Sequence, residues 1–227
     1  MKVRKITMIE GKMNMIKNWI QTTLSRRGFI FVVCLGVYHF IFKSAAWARA
    51  EYIRVKEFPI RSIEKTPRVD LKTWRLKVEG LVGQPISLSI DEIKALPKKI
   101  QNKSFICVEG WGLDDQIWEG VQLKEVFSKV AISPNAKFVT FIAVGGYYRD
   151  SLSIKEALEP DTIAAYKVNG KDLAAENGFP LRLIIPRMYA YKGVKWMEKM
   201  VFTEEQEVGY WEQSGYSVDG SIPGIKN

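Results

Sequence analysis

From Trp74 to Glu79 the chain reads Trp-Arg-Leu-Lys-Val-Glu, apolar against charged at every step. That is the period of a strand with one buried face. The stretch Gly80–Pro85 predicts a turn, and Ile86-Ser87-Leu88 a second strand. Ser89-Ile90-Asp91-Glu92 has the spacing of a capping box and opens a short helix to Leu96, which Pro97 stops. Residues 104–109 read as a strand that Gly110-Trp111-Gly112 breaks into a loop. A helix is expected over 123–130, an apolar strand over 137–144 and a loop over 145–150. Ser153-Ile154-Lys155-Glu156 is a second capping box. Asn169-Gly170 between apolar runs predicts a tight hairpin, because both turn positions favour positive φ. Residues 181–185 and 194–202 complete the strands. The aromatic, Gly-containing tail around Tyr210, Trp211 and Tyr216 is expected to pack across a core edge. Strands dominate and the helices are short, so the fold class is α+β.

Before this pattern the chain differs in kind. Residues 1–50 hold nine Lys/Arg against one acid, Glu10, and so account for +8 of the formal net charge of +9. The basic balance therefore belongs to this leader, and a nucleic-acid footprint is not expected. A basic region ends at Arg26-Arg27-Gly28-Phe29, an apolar run covers 28–42, and Ala48-Arg49-Ala50 has the small-x-small form of a cleavage site. The run is short for a membrane span, which takes about 17–25 residues. The paired arginines predict a twin-arginine-type export signal over 1–50, although Phe31 stands where that signal often has Lys. An uncleaved membrane anchor is the alternative. Residues 51–227 then form one periplasmic domain, long enough to fold without disulfides. Its first stretch, 51–67, is polar and Pro-punctuated and reads as an extended arm over the surface.

The exported domain has little of the usual catalytic equipment. The only histidine, His39, lies in the leader, so the domain has no imidazole for Ser-His-Asp or Cys-His catalysis, His-ligated zinc or in-chain haem ligation. Of the two cysteines, Cys34 also lies in the leader, leaving Cys107 as a single thiol. It can serve packing, reactivity or metal ligation. In an oxidising compartment a free exposed thiol is a liability, which burial or a metal would relieve.

The segment Cys107-Val108-Glu109-Gly110-Trp111 has company at the right spacing. Trp74-Arg75-Leu76, Trp118-x-Gly120, Tyr166 with Asn169-Gly170, Gly178-Phe179-Pro180-Leu181-Arg182, Val194-Lys195-Trp196 and Gly209-Tyr210-Trp211 follow in order. Together they resemble the molybdopterin-binding domain of the sulfite-oxidase family, most closely its periplasmic protein-methionine-sulfoxide reductase catalytic subunits. The resemblance implies a β-rich, mixed sulfite-oxidase-type domain and a molybdopterin cofactor. It makes Cys107 the one protein ligand to molybdenum, a soft thiolate for a sulfur-rich site. Lys192 and Lys195 match positions that hold pterin or phosphate, with Arg182 and Arg187 as further candidates; a solvated strand face is the plainer reading of the lysine pair. Tyr148 matches a tyrosine over the metal face, with Tyr147 as its alternative, and Arg149 beside it is placed to hold an anionic substrate. Trp111 and Trp118 read as packing walls.

The chain also departs from the family pattern. Sulfite oxidases carry an Arg soon after the cysteine, where this chain has Glu109-Gly110-Trp111, and Asn177 stands where many members have His. The expected activity is therefore oxygen-atom transfer with an S- or N-oxide, which is small or protein-bound. A sulfite-oxidising enzyme or a binding subunit without catalysis is the alternative. Electrons would come from a haem-containing membrane subunit or a soluble cytochrome. The immunoglobulin-like dimerisation domain of larger relatives is missing from this sequence, so a monomer is expected.

Overall fold

The computed structural model describes residues 51–225. The export signal, Cys34 and His39 lie outside the described residues. The domain is built on two sheets. One runs β3 (Ile86–Leu88), β2 (Leu76–Gly80), β11 (Met197–Thr203), β6 (Phe138–Ala143), β7 (Arg149–Ser153). Only β2 and β11 are parallel there. The other runs β1 (Ile53–Arg54), β5 (Trp111–Gln122), β8 (Ile163–Val168), β10 (Arg182–Ile184), with β4 (Lys98–Ile106) also on β5 and β9 (Lys171–Asp172) on β8. Helices α1 (Ile90–Lys94), α2 (Leu123–Phe127) and α3 (Ile154–Ala157) join them.

The core between the sheets joins Leu76, Val78, Phe141, Met200 and Phe202 to Val121, Leu183 and the helices. The outer face of the β5 sheet is covered too: Trp118, Ile163, Ala165 and Ile184 form a second cluster with Phe58 and Phe105. Alternation explains the division, since Ala164 and Leu183 face one way and Ala165 and Ile184 the other. Trp118 is fully buried and meets Phe58 edge-on at 5.8 Å. Phe58 therefore ties the N-terminal arm to the sheet, and β1 adds a short parallel pairing of Ile53 with Trp111.

Both capping boxes form, with Ser89 and Ser153 hydroxyls accepting from Glu92 and Glu156 N–H. Asn169 and Gly170 take φ of 51° and 77° in the β8–β9 hairpin. Other boundaries move. Gly110-Trp111-Gly112 does not break into a loop: the turn spans 107–110 and β5 runs on for 12 residues from Trp111. Strand β4 starts directly after Pro97, because its polar residues pair along β5 from Lys98 onward. Helix α2 ends at Phe127, β7 begins at Arg149, and the last strand begins at Met197 after a positive φ at Trp196.

Candidate active site

A cavity of ≈ 280 Å³ opens where four segments meet: the arm at 58–64, the turn after β4, the 3-10 turn Ala190–Lys192 with the residues after it, and the tail. That is near the lower end of the size of cofactor sites, about 300–1,000 Å³. The β4–β5 hairpin delivers Cys107 to it. The Cys107 N–H donates to the Trp111 carbonyl at 2.8 Å and Gly110 N–H to the Cys107 carbonyl at 3.1 Å. Gly110 supplies the positive φ of 83° that closes so tight a turn.

Beside the thiol sits Glu109. Its Oε2 accepts from Trp111 Nε1 and from Arg61 Nε, each at 2.8 Å, and lies 3.9 Å from Cys107 Sγ. The indole N–H first, then the Arg61 guanidinium, hold the Glu109 carboxyl below the usual carboxylate range. Burial pushes the Cys107 thiol up.

Two cations line the same cavity. Arg182, on β10, is buried among aromatics, its guanidinium 4.9 Å from the Phe105 ring centroid and 5.9 Å from that of Trp118. Its Nη1 donates to the Asn177 carbonyl at 2.8 Å, while Nε has no partner. Burial lowers its pKa to about 10, so it stays charged at neutral pH. Lys195 Nζ donates to the carbonyls of Arg61 at 2.7 Å and Glu176 at 3.1 Å. Burial, then the charge of Arg182, lowers it to about 8. Among the described residues no carboxylate lies within ion-pair distance of either cation. Glu64 also lines the cavity, with a buried Oε1 that has no hydrogen-bond partner. Tyr148 completes the wall; its hydroxyl donates to the Tyr191 carbonyl, and burial raises its pKa well above that of a free phenol.

The structure thus brings Cys107, Tyr148, Arg182 and Lys195 to one cavity. It places three expected residues elsewhere. Lys192, expected to grip the cofactor, is a buried ion outside the cavity lining: its Nζ bonds Asp150 Oδ1 at 2.5 Å, Glu212 Oε1, and the Val218 carbonyl at 3.0 Å. The reason is local. Gly193 leaves the 3-10 turn in extended conformation, so residues 192 and 195 do not share a face. Arg187 bonds Asp161 Oδ1 and Thr162 Oγ1 at 2.9 and 2.8 Å, away from the cavity. Arg149 pairs with Glu207 at 2.8 Å, also outside it. Tyr147 is exposed and does not line the cavity. Trp111 lines the cavity and Trp118 belongs to the core.

Sequence reasoning missed Glu109 as a working group, the arm residues 58–64 and the tail residues Trp211 and Tyr216 that close the cavity. Glu109 stood within the cysteine segment and its charge beside a thiol was a signal. The arm carried none, because its place depends on Phe58 packing on the far side of the sheet.

Comparison with known proteins shows the family. Residues 63–211 match the model of the oxidoreductase molybdopterin binding domain family. An uncharacterized oxidoreductase of Bacillus subtilis is 34% identical over 164 residues, covering 72% of this chain and 82% of its own. The protein-methionine-sulfoxide reductase catalytic subunit of Xanthomonas campestris is 34% identical over 156 residues, and sulfite oxidase of Arabidopsis thaliana 29% over 187. These matches cover 62% and 67% of this chain, and the chain spans 48% of the length of each of those two relatives. The crystal structure of the sulfane dehydrogenase SoxCD of Paracoccus pantotrophus shares the fold, with a TM-score of 0.58 at 18% identity over 64% of this chain and 41% of that one.

The donor set fits a metal carried by such a cofactor. Among the described residues no three His, Cys, Asp or Glu side chains cluster to hold a bare ion. One thiol shares the cavity with a buried cation, Arg182, and a half-buried one, Lys195, neither with a carboxylate within ion-pair distance, a match for a soft metal and an anionic group. The chain belongs to the oxidoreductase molybdopterin binding domain family and is a molybdopterin-dependent oxidoreductase.

Proposed function

We propose that this chain is an exported oxidoreductase that reduces a neutral S- or N-oxide, with Cys107 as the protein ligand to the metal. The observation that carries this reading is the division of the cavity. Its cations Arg182 and Lys195 have no carboxylate within ion-pair distance among the described residues, while Arg61, the cation that acts on the Cys107 thiol, is occupied by Glu109. An anionic cofactor is provided for, and an anionic substrate is not.

Bound molybdopterin supplies a metal centre that exchanges electrons and an oxygen atom with its substrate. The overall conversion takes the oxide, two electrons and two protons to the reduced compound and water. Cys107 would hold the metal through its thiolate and lose its proton on ligation. Arg182, pre-oriented by the Asn177 carbonyl and by stacking, would hold the pterin side, its unpartnered Nε free to donate. Lys195 would bind the phosphate as a point charge. Trp111, Trp211 and Tyr216 line the cavity and would screen the reacting end from water. Tyr148 orients this wall through its bond to the Tyr191 carbonyl, and turning that hydroxyl would let it donate to substrate. Arg149 has no part in this scheme.

The leader pattern supports a periplasmic location, and the export-signal motif is consistent with a cofactor inserted before export. The domain has no histidine to ligate haem, so electrons would arrive from a separate carrier, a haem-containing membrane subunit or a soluble cytochrome. The names of two relatives, both methionine-sulfoxide reductase subunits, favour oxide reduction. The test is metal and pterin analysis of purified protein, with a panel of sulfoxides, N-oxides and sulfite. Near-stoichiometric molybdenum and turnover of neutral oxides are expected, with Cys107→Ser losing both metal and activity. Sulfite turnover outrunning every oxide would overturn the reading.

A further inference from the structure

We infer that Glu109 is a specificity-determining residue: by occupying Arg61 it keeps the cysteine side of the cavity closed to oxyanions. Two N–H donors converge there on one carboxylate oxygen. Arg61 Nε and Trp111 Nε1 both reach Glu109 Oε2 at 2.8 Å, and Cys107 Sγ approaches it at 3.9 Å. The other cations of the cavity are held elsewhere, Arg182 by the Asn177 carbonyl and Lys195 by two backbone carbonyls. A dianion arriving beside Cys107 would need N–H donors and would meet a carboxylate that has already taken them.

A guanidinium is the side chain best shaped to bind an oxyanion through two parallel N–H groups. Arg61 is held over the cavity by its own backbone, whose carbonyl accepts from Lys195. Removing the Glu109 charge would therefore leave beside the thiol an exposed guanidinium whose backbone stays fixed at the cavity rim. A neutral oxide needs no such arginine, and the apolar sides of Val108 and Trp111 suit it. This selectivity deepens the proposed function and rests on it for its purpose. The masking of Arg61 is measurable without any turnover.

The experiment is calorimetric titration of the holoenzyme with sulfate, an unreactive dianion, at constant ionic strength. Wild type should bind sulfate weakly. Glu109→Gln should bind it roughly fivefold more tightly, the size expected for releasing one exposed ion pair. The double variant Glu109→Gln/Arg61→Gln should return to the wild-type value, and Trp111→Phe, which leaves the ion pair, should show no gain. Where Glu109→Gln fails to fold, Glu109→Asp draws the carboxylate back by one methylene and should show a smaller gain, again lost with Arg61→Gln. An unchanged sulfate affinity in the folded variant overturns the inference, as does a gain that survives loss of Arg61. Failure of every oxide as a substrate, with the sulfate result intact, would refute the proposed reaction and leave the masking in place.

Discussion

Lys192 and Lys195, three residues apart, face opposite environments: Lys192 Nζ is sealed between Asp150 and Glu212, and Lys195 Nζ lies at the cavity between two backbone carbonyls. The first joins β7, the 190–192 turn and the tail into one unit; the second is available to a ligand. Each charged residue of the buried cluster sits one or two positions from an aromatic of the cavity wall, Lys192 after Tyr191, Glu212 after Trp211 and Asp150 after Tyr148. The cluster thereby sets the wall without entering it.

Replacing these two lysines should separate stability from cofactor binding. Lys192→Met leaves two carboxylates buried without their cation, and losing one partner of a buried pair costs about 3–5 kcal/mol. Lys195→Met removes a charge that no carboxylate pairs, so its stability should stay within about 1 kcal/mol of wild type while pterin content falls. Denaturant unfolding and pterin analysis of both variants check this. Equal losses of stability would show that the two sites are not separate.

The same cluster predicts a pH dependence. Burial raises the Asp150 carboxyl to about 7, against the pull of Lys192. An unfolded Asp releases its proton near 3.9. Between those values the folded chain binds the extra proton, so the Asp150 contribution to stability falls as pH rises from about 4 to about 7 and levels above. The limiting slope for one proton is about 1.4 kcal/mol per pH unit. Asp150→Asn should remove that component. Unfolding free energies of both proteins from pH 4 to 8 give the difference, and parallel curves would count against the extra proton on Asp150.

Much of this domain could be read before its structure, for reasons visible at particular residues. The β2 alternation, the Ser89 and Ser153 boxes and Asn169-Gly170 are local signals, and each formed as read. Cys107 could be singled out because it is the only thiol of residues 51–227. What escaped depended on contacts distant in the chain. The polar first half of β4 is a strand because β5 supplies its ladder. The arm reaches the cavity because Phe58 docks on Trp118, 60 positions away in sequence. Arg187 and Lys192 looked like free cations because their partners, Asp161 and Glu212, lie 26 and 20 residues off.

Gly80 tests the close packing of the sheet that holds β2 against β11, at positions that do not line the cavity. It has φ of 91°, and a Cβ there would lie 2.3 Å from the Phe202 carbonyl oxygen. That oxygen also accepts the Leu81 N–H at 2.8 Å. Gly80→Ala meets backbone rather than a flexible side chain, so it should cost about 2 kcal/mol or more. Thermal unfolding reads the loss, and a variant as stable as wild type would mean that β2 and β11 separate at no cost.

Arg182 gives the most discriminating test of a cofactor-shaped cavity. A buried guanidinium with no carboxylate near and an unbonded Nε is costly for the protein alone. Stacking on Phe105 offsets part of that cost, on the order of 2 kcal/mol for a desolvated pair. Arg182→Met keeps the length and removes the charge. Cofactor-free protein should then be unchanged or more stable, whereas cofactor retention should fall at least about tenfold, the usual cost of losing one charge-assisted contact. Arg182→Lys should rescue little, since an ammonium neither stacks nor presents a planar fork. Paired measurement of unfolding free energy without cofactor and pterin content after gel filtration separates the two effects. A variant weakened in both states would make Arg182 a structural residue, held in place for the core rather than for a ligand.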